Sequence, residues 1–264
     1  MARALDWQSR GRGFESHLLH LKALRKRGFC YFSTMQLTKL NEDSSWLLNL
    51  DGVKVLVDPW FSASQVDFHP WFSRQFHQSP QPLVRELVRP DFIFISHPFT
   101  DHCNKETLLQ FSSEIPLIAL PSILKKIKKW GHFKTLIPLD ATPIPISLLK
   151  TKNALVHKAY LIESVQNKLV YAPHGAVLKK NLDLPINALI TTTLQYQLPF
   201  FLGGTINLGY GKAVELQKQV GAKYLLTTHN EDKKGEGLVS LFAKRKFSND
   251  AGVISLTPGE VFVF

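Results

Sequence analysis

Cysteine is nearly absent from this chain. Its 264 residues contain only Cys30 and Cys103, too few for a disulfide framework, so a reducing compartment, the cytoplasm, is the expected location. Long apolar runs are missing too. A bilayer span needs roughly 18 or more consecutive apolar residues. The most apolar stretch, IPLIALPSIL at 115–124, is short and interrupted by proline, so no membrane span is expected. Acidic residues are fewer than basic ones, 21 against 32, giving a formal net charge of +11. No G-x-G-x-x-G run joins a strand to a helix, which leaves a dinucleotide site a weak reading of the glycines in LPFFLGGTINLGYG (198–211). What is present suits a layered domain. With 44% hydrophobic and 11% aromatic residues, the chain can bury a sizeable core in one α/β unit.

The charge is unevenly placed. Residues 1–34 carry seven Lys or Arg against two acids, have no apolar core of the kind found in a secretory leader, and show no packing period that continues beyond them. Such a segment fits an Arg-rich presequence. It fits better an extension from a mis-assigned start, since GFES (13–16) back-translates to a sequence like the T-arm of a transfer-RNA gene. Met35 is therefore the expected start, with 1–34 outside the core and 35–264 a single domain. The remainder then holds 25 basic and 19 acidic residues, a formal +6. Its densest cluster, LKKIKKWGHFK (124–134), is spaced like the solvated face of a helix, so nucleic-acid binding is not expected. A small anionic substrate remains compatible with the charge.

WLLNL, Asp51-Gly52 and VKVLV read as two strands joined by a tight type I′ turn. The stretch 62–82, rich in aromatics, proline and small polar residues, reads as a long loop. DFIFIS (91–96) and PLIAL (116–120) have the uniform apolarity of strands buried on both faces. KETLLQF and PSILKKIKKWG read as helices, the second closed by Gly131. AYLIES and KLVYA form a second hairpin. NALITTT, a helix over YGKAVELQKQVG (210–221), AKYLLTT, VISL and EVFVF as closing strands complete an α/β pattern.

The chemistry sits at strand ends. SHPFTDHCN (96–104) places His97, Asp101 and His102 directly after DFIFI; His174 follows KLVYA and His229 follows AKYLLTT. Ligand sites assemble where strands end and loops converge. Isolated histidines more often serve structure, which is the reading for His69, His77, His132 and His157. Asp58, before Pro59, reads as a turn former, and Cys103 as a buried small hydrophobe. The 198–211 segment reads as a flexible aromatic loop lining the pocket, with Gly203 and Gly204 allowing close backbone approach.

From Met35 to about Ser240 the chain resembles the metallo-β-lactamase superfamily, in its lactonase-like and phospholipase-like branch. The resemblance rests on VLVDPWF, on PDFIFISHPFTDHCN against the family's strand and H-x-H-x-D-H, on AYLIES followed by KLVYAPHG, and on His229. It implies a four-layer αβ/βα sandwich of two facing mixed β-sheets, with one or two zinc-class ions at one edge. Two departures bear on the metal. Phe99 stands where the second histidine of H-x-H belongs, and a phenyl ring cannot coordinate. His174 stands where the family has a bridging aspartate. Asp101, His102, His174 and His229 would then hold one zinc-class ion, with Asp101 orienting or deprotonating water. His97 lacks an evident partner, and His157 is a candidate substitute ligand. The resemblance implies a metal-dependent hydrolase of an ester, lactone or phosphodiester. A non-catalytic binding or scaffold protein with a vestigial site is the second reading, and a nuclease-type RNA processor the last.

Overall fold

The computed structural model describes residues 35–153, 155–248 and 252–264. The expectations for residues 1–34, including the start at Met35 and the location of Cys30, lie outside the described residues. In chain order the strands are β1 (Met35–Lys39), β2 (Trp46–Leu50), β3 (Val53–Val57), β4 (Ser64–Asp67), β5 (Ser73–Phe76), β6 (Phe92–Ile95), β7 (Leu117–Ala119), β8 (Leu136–Pro138), β9 (Ile146–Leu148), β10 (Tyr160–Glu163), β11 (Lys168–Ala172), β12 (Ile186–Thr191), β13 (Gln195–Gln197), β14 (Thr205–Leu208), β15 (Ala222–Thr227), β16 (Lys234–Glu236), β17 (Lys244–Lys246) and β18 (Val261–Val263). The helices are α1 (Lys105–Leu108), α2 (Pro121–Lys128), α3 (Tyr210–Val220) and α4 (Leu238–Phe242).

Two mixed sheets carry the fold. One has seven strands in the order β18-β1-β2-β3-β6-β7-β8, the other five in the order β15-β12-β11-β10-β9. The main core lies between them, where Leu48, Val55, Val57, Phe94 and Ile118 of the first sheet meet Tyr160, Ile162, Tyr171, Ala188 and Ile190 of the second. The opposite face of the first sheet, through Ile93, Ile95 and Leu117, packs on Leu108 of α1 and on Ile123 and Ile127 of α2. The second sheet uses Val170, Leu189 and Leu225 to pack on Ala213, Leu216 and Val220 of α3. Four layers result. They explain the uniform apolarity of β6 and β11, which must fill a core on each face.

Local chemistry sets the turns. Asp51 and Gly52 both take positive φ, 53° and 93°, as a type I′ hairpin requires, and Leu50 pairs with Val53 across it. Gly221 ends α3 in the left-handed region at φ 66°. Nothing lies within 4 Å of a Cβ built there, so Gly221→Ala should cost about 1 kcal/mol, from backbone conformation alone. Chemical denaturation would read this as a lowered midpoint at unchanged slope.

Three expectations need correction. The stretch 62–82 is not all loop: β4 and β5 form a hairpin within it, to which β16 adds. Strands of four residues with polar side chains carry too little alternation to be seen in sequence. VISL is no strand; Ile254 makes a single bridge to Leu226, and only Val261–Val263 closes the sheet, against β1. The helix expected over KETLLQF stops at Leu108, after one turn.

Candidate metal centre

Four strands deliver the site because they end at one level. β3 runs parallel to β6 with Val57 opposite Phe94, and each strand is followed by a polar group, Asp58 after β3 and Ser96-His97 after β6. In the facing sheet β11, β12 and β15 are parallel, Ala172 opposite Thr191 and Thr191 opposite Thr227. His174 and His229 therefore emerge beside each other. Asp101 and His102 come from the turn before α1, where the amides of His102 and Cys103 donate to the Phe99 carbonyl at 3.1 and 2.7 Å and Asn104 caps the helix by accepting from the Thr107 amide at 2.9 Å.

The rings converge. His97, His102 and His174 have centroids 4.8 to 5.0 Å apart, and His229 lies 5.3 Å from His102 and 4.9 Å from His174. Asp101 Oδ2 is 3.4 Å from His229 Nε2, and Oδ1 is 3.9 Å from His102 Nε2. The four histidines are at most 4% exposed and Asp101 is 8% exposed, so the carboxylate marks the most accessible side. Two ligand-competent groups share His102: His97, His102 and His174, and Asp101, His102 and His229.

Three imidazoles have one nitrogen committed. His102 Nδ1 donates to Asp58 Oδ2 at 2.8 Å, His174 Nδ1 donates to Asn207 Oδ1 at 2.7 Å, and His229 Nδ1 donates to Asp43 Oδ1. A ring proton fixed on Nδ1 leaves Nε2 as the free lone pair, the arrangement that supports metal-ligating histidines. His102 Nε2 and His174 Nε2 then face each other at 2.9 Å. Two lone pairs that close repel unless a cation, a metal ion or a proton, lies between them. Imidazole nitrogens and a carboxylate, the donors of the two ligand-competent groups, are of the kind that a zinc-class ion takes.

Electrostatics agree with that need for positive charge. Burial pushes the His174 pKa well below its ordinary value, helped by charge on His102, His97 and His229. Burial acts on His102 in the same sense, but the carboxylates of Asp101 and Asp58 outweigh it and raise its pKa. The two directions favour His102 over His174 as the holder of a proton between them.

His97 is differently occupied. Its Nε2 donates to the Val156 carbonyl at 2.9 Å and its Nδ1 lies 2.7 Å from Ser96 Oγ; burial, first, and charge on His102 hold its pKa well below normal. Phe99 stacks over it at 6.0 Å and 14° and meets His174 edge-on at 5.8 Å. Gly203 and Gly204 sit at the tip of the β13–β14 hairpin with φ 120° and 70°, where they turn the backbone. The surroundings of His157 run against its use as a ligand: its Nε2 donates to the Ile206 carbonyl at 3.0 Å, and it joins neither group. His132 Nε2 donates to the Phe111 carbonyl. His77 belongs to a separate network, with Nδ1 2.5 Å from Glu231 Oε2. Cys103 is buried and free, and burial pushes its thiol up to about 12.

The sequence reading gave Asp58 too little. It does more than turn the chain: fully buried at φ 45°, it accepts from Ser96 N at 2.7 Å, Ser96 Oγ at 2.5 Å, Tyr171 Oη at 2.8 Å and His102. Asp43, Asn207 and Lys233 were missed altogether. Lys233 Nζ donates to Asp43 Oδ2 at 2.9 Å and stands 3.8 Å from Asp101 Oδ2. Burial disfavours the charge of Asp43, but His229 and Lys233 prevail and hold its carboxyl far below the usual range. Only Asp58 had a sequence signal, an acid at the end of an apolar strand. Asp43→Asn removes the anion behind His229 and should weaken metal retention about 10- to 100-fold, measured by competition with a chromophoric chelator.

A family model described as a beta-lactamase superfamily domain matches residues 36–229. The chain belongs to the beta-lactamase superfamily. Solved structures of similar fold include the isothiocyanate hydrolase from Delia radicum gut bacteria, with TM-score 0.60, 12% identity and coverage of 86% of this chain and 98% of that one. The novel metallo hydrolase Igni18 from Ignicoccus hospitalis matches with TM-score 0.57 at 14% identity, covering 88% and 98%. The metallo-beta-lactamase fold protein YhfI from Bacillus subtilis matches with TM-score 0.56 at 17% identity, covering 88% and 100%. No curated protein matches. At these identities the structures establish that this superfamily member has the metallo-β-lactamase fold, whose strand-end edge is where the cluster lies.

Proposed function

We propose that the protein is a metal-dependent hydrolase that uses water to cleave an ester, lactone or phosphodiester. One observation carries the reading: His102, His174 and His229 each have Nδ1 held by an acceptor, which leaves Nε2 free, and His102 belongs to two ligand-competent groups, one with His97 and His174, the other with Asp101 and His229. Asp101, His102, His174 and His229 would hold one divalent ion, zinc by the softness of imidazole. Such an ion supplies Lewis acidity, lowering the pKa of water toward about 7 and polarising a carbonyl or phosphoryl oxygen. Asp101 orients the attacking water and accepts its proton. Lys233 steadies the Asp101 oxygen facing it, while Asp58, Asn207 and Asp43 hold the imidazoles against rotation. Phe99 lays an apolar ring against His97 and His174.

The domain assignment, 35–264 as one unit, and a cytoplasmic location belong to the same proposal. No helix among the described residues is long and apolar enough to cross a membrane. A non-catalytic binding protein is the competing reading, favoured by Phe99 and by the engagement of His97 with Val156. Protein purified without chelator or nickel should contain about one zinc-class ion per chain and hydrolyse some member of an ester, lactone and phosphodiester panel. A protein that stays empty in excess zinc and hydrolyses none of them is the binding protein.

A further inference from the structure

Large apolar side chains stand free of the fold on three neighbouring projections. Phe68 is 94% exposed and Trp71 65%, on the turn between β4 and β5; Phe200 is 95% and Phe201 75% exposed, at the tip joining β13 to β14; Leu241, on α4, is 80% exposed and its neighbour Phe242 46%. The projections adjoin one another. Phe201 and Phe242 have ring centroids 6.4 Å apart, the Leu238 amide donates to the Trp71 carbonyl at 3.0 Å, and a notch of about 410 Å³ opens between Trp71, Leu238 and Leu241. Phe68 holds φ 62°, a conformation that costs a bulky residue energy and here yields almost no burial. Folding gains little from any of these side chains.

Each projection is rooted at the metal-centre cluster. Asp67, beside Phe68, accepts from Thr100 Oγ1 at 2.7 Å, next to Asp101. The β13–β14 hairpin carries Asn207 to His174. The chain through β16 and α4 begins just after Lys233. Basic residues flank the apolar tips: residues 234–246, KGEGLVSLFAKRK, hold four Lys or Arg against one Glu, with Lys234, Lys244 and Lys246 exposed.

We propose that this aromatic, basic rim docks the protein on the surface of an anionic phospholipid bilayer, with the cluster facing the membrane. Aromatic side chains prefer the interface between headgroups and acyl chains, and exposed cations add attraction to anionic lipid. The exposed side chains are spread over three tips, an arrangement that a fluid lipid surface receives without matching sockets. A second copy fits worse, because a two-fold contact through this face would set the Lys244–Lys246 strand of one copy against the like charge of the other.

The full chain should sediment with phosphatidylcholine vesicles containing phosphatidylglycerol, bind phosphatidylcholine alone at least about tenfold more weakly, and release with salt. Phe200→Ser with Phe201→Ser, and separately Lys244→Glu with Lys246→Glu, should each lower the partition coefficient about tenfold or more. These exposed side chains contribute little to folding, and unchanged far-ultraviolet dichroism and Tm establish that the variants are folded. No binding to either vesicle overturns the proposal. So does binding that the variants leave intact, which places the lipid contact elsewhere in the chain. Dimerisation seen by light scattering and lost in the aromatic variant identifies a second copy as the occupant and also overturns it.

Discussion

Asp101→Ala should abolish hydrolysis and weaken metal retention together. The substitution removes the only carboxylate among the four proposed ligands and the group that accepts the water proton. General-base loss alone is worth about 10² to 10⁴ in rate, and loss of the ion adds to it, so activity should fall to the uncatalysed background. The Lys233 ammonium, 3.8 Å from Asp101 Oδ2, would add positive charge to a cluster short of one anion, further disfavouring a divalent cation. Metal content by mass spectrometry and turnover on the panel read the two effects separately. Cys103→Ala should leave both nearly unchanged, because the thiol is buried on the apolar side among α1 and α2. Phe99→His tests the other group. An imidazole there would add a donor beside His97 and His174, but His97 Nε2 is engaged by the Val156 carbonyl, so metal content should stay near one per chain. A rise toward two would mean that His97 turns easily, and that one residue suppresses the first site.

Asp58→Ala should be the most destabilising single change at the site. Its carboxylate gathers four donors in a fully buried position; removing it leaves the Ser96 amide and His102 Nδ1 without an acceptor, while Tyr171 Oη keeps only the Ser44 carbonyl at 3.2 Å and Ser96 Oγ only His97 Nδ1. Each buried donor left unpaired costs about 1–3 kcal/mol, and breaking a buried charged network typically costs about 3–5 kcal/mol in all. For a domain of this size that lowers Tm by roughly 10 °C or more. Burial already pushes the Tyr171 hydroxyl pKa well above normal, so that group stays a neutral donor, left with the longer bond to the Ser44 carbonyl. Asp58→Asn keeps the shape and one acceptor, and should fall between wild type and alanine. A thermal midpoint of the alanine variant within about 2 °C of wild type would show that the pocket rehydrates, contrary to the packing of Phe94 against Tyr160 beside it.

How much of this was written in the chain depends on distance along it. The Asp51-Gly52 turn, the uniformly apolar β6 and β11, and the amphipathic α3 with Gly221 at its end were legible because neighbours within about ten residues decide them. The four histidines were legible as a group because each follows a strand, and strand ends of parallel segments fall on one side of a sheet. The resemblance to the superfamily then supplied the facing of two sheets, which no local pattern contains. The β4–β5 hairpin was not legible. Its polar strands are held by β16, some 160 residues later, and by the network of Glu231 with His77 and Ser79.

The sequence by itself determined the strand ends and the residue types available to a metal, since each is a property of a residue or its immediate neighbours. The tertiary structure alone decided which nitrogen of each imidazole is free. That choice rests on Asp58 behind His102, Asn207 behind His174 and Asp43 behind His229, partners 44, 33 and 186 residues distant. A hydrogen bond selects a tautomer by the position of its acceptor in space, and side chains so far apart along the chain meet only when the two sheets close on each other.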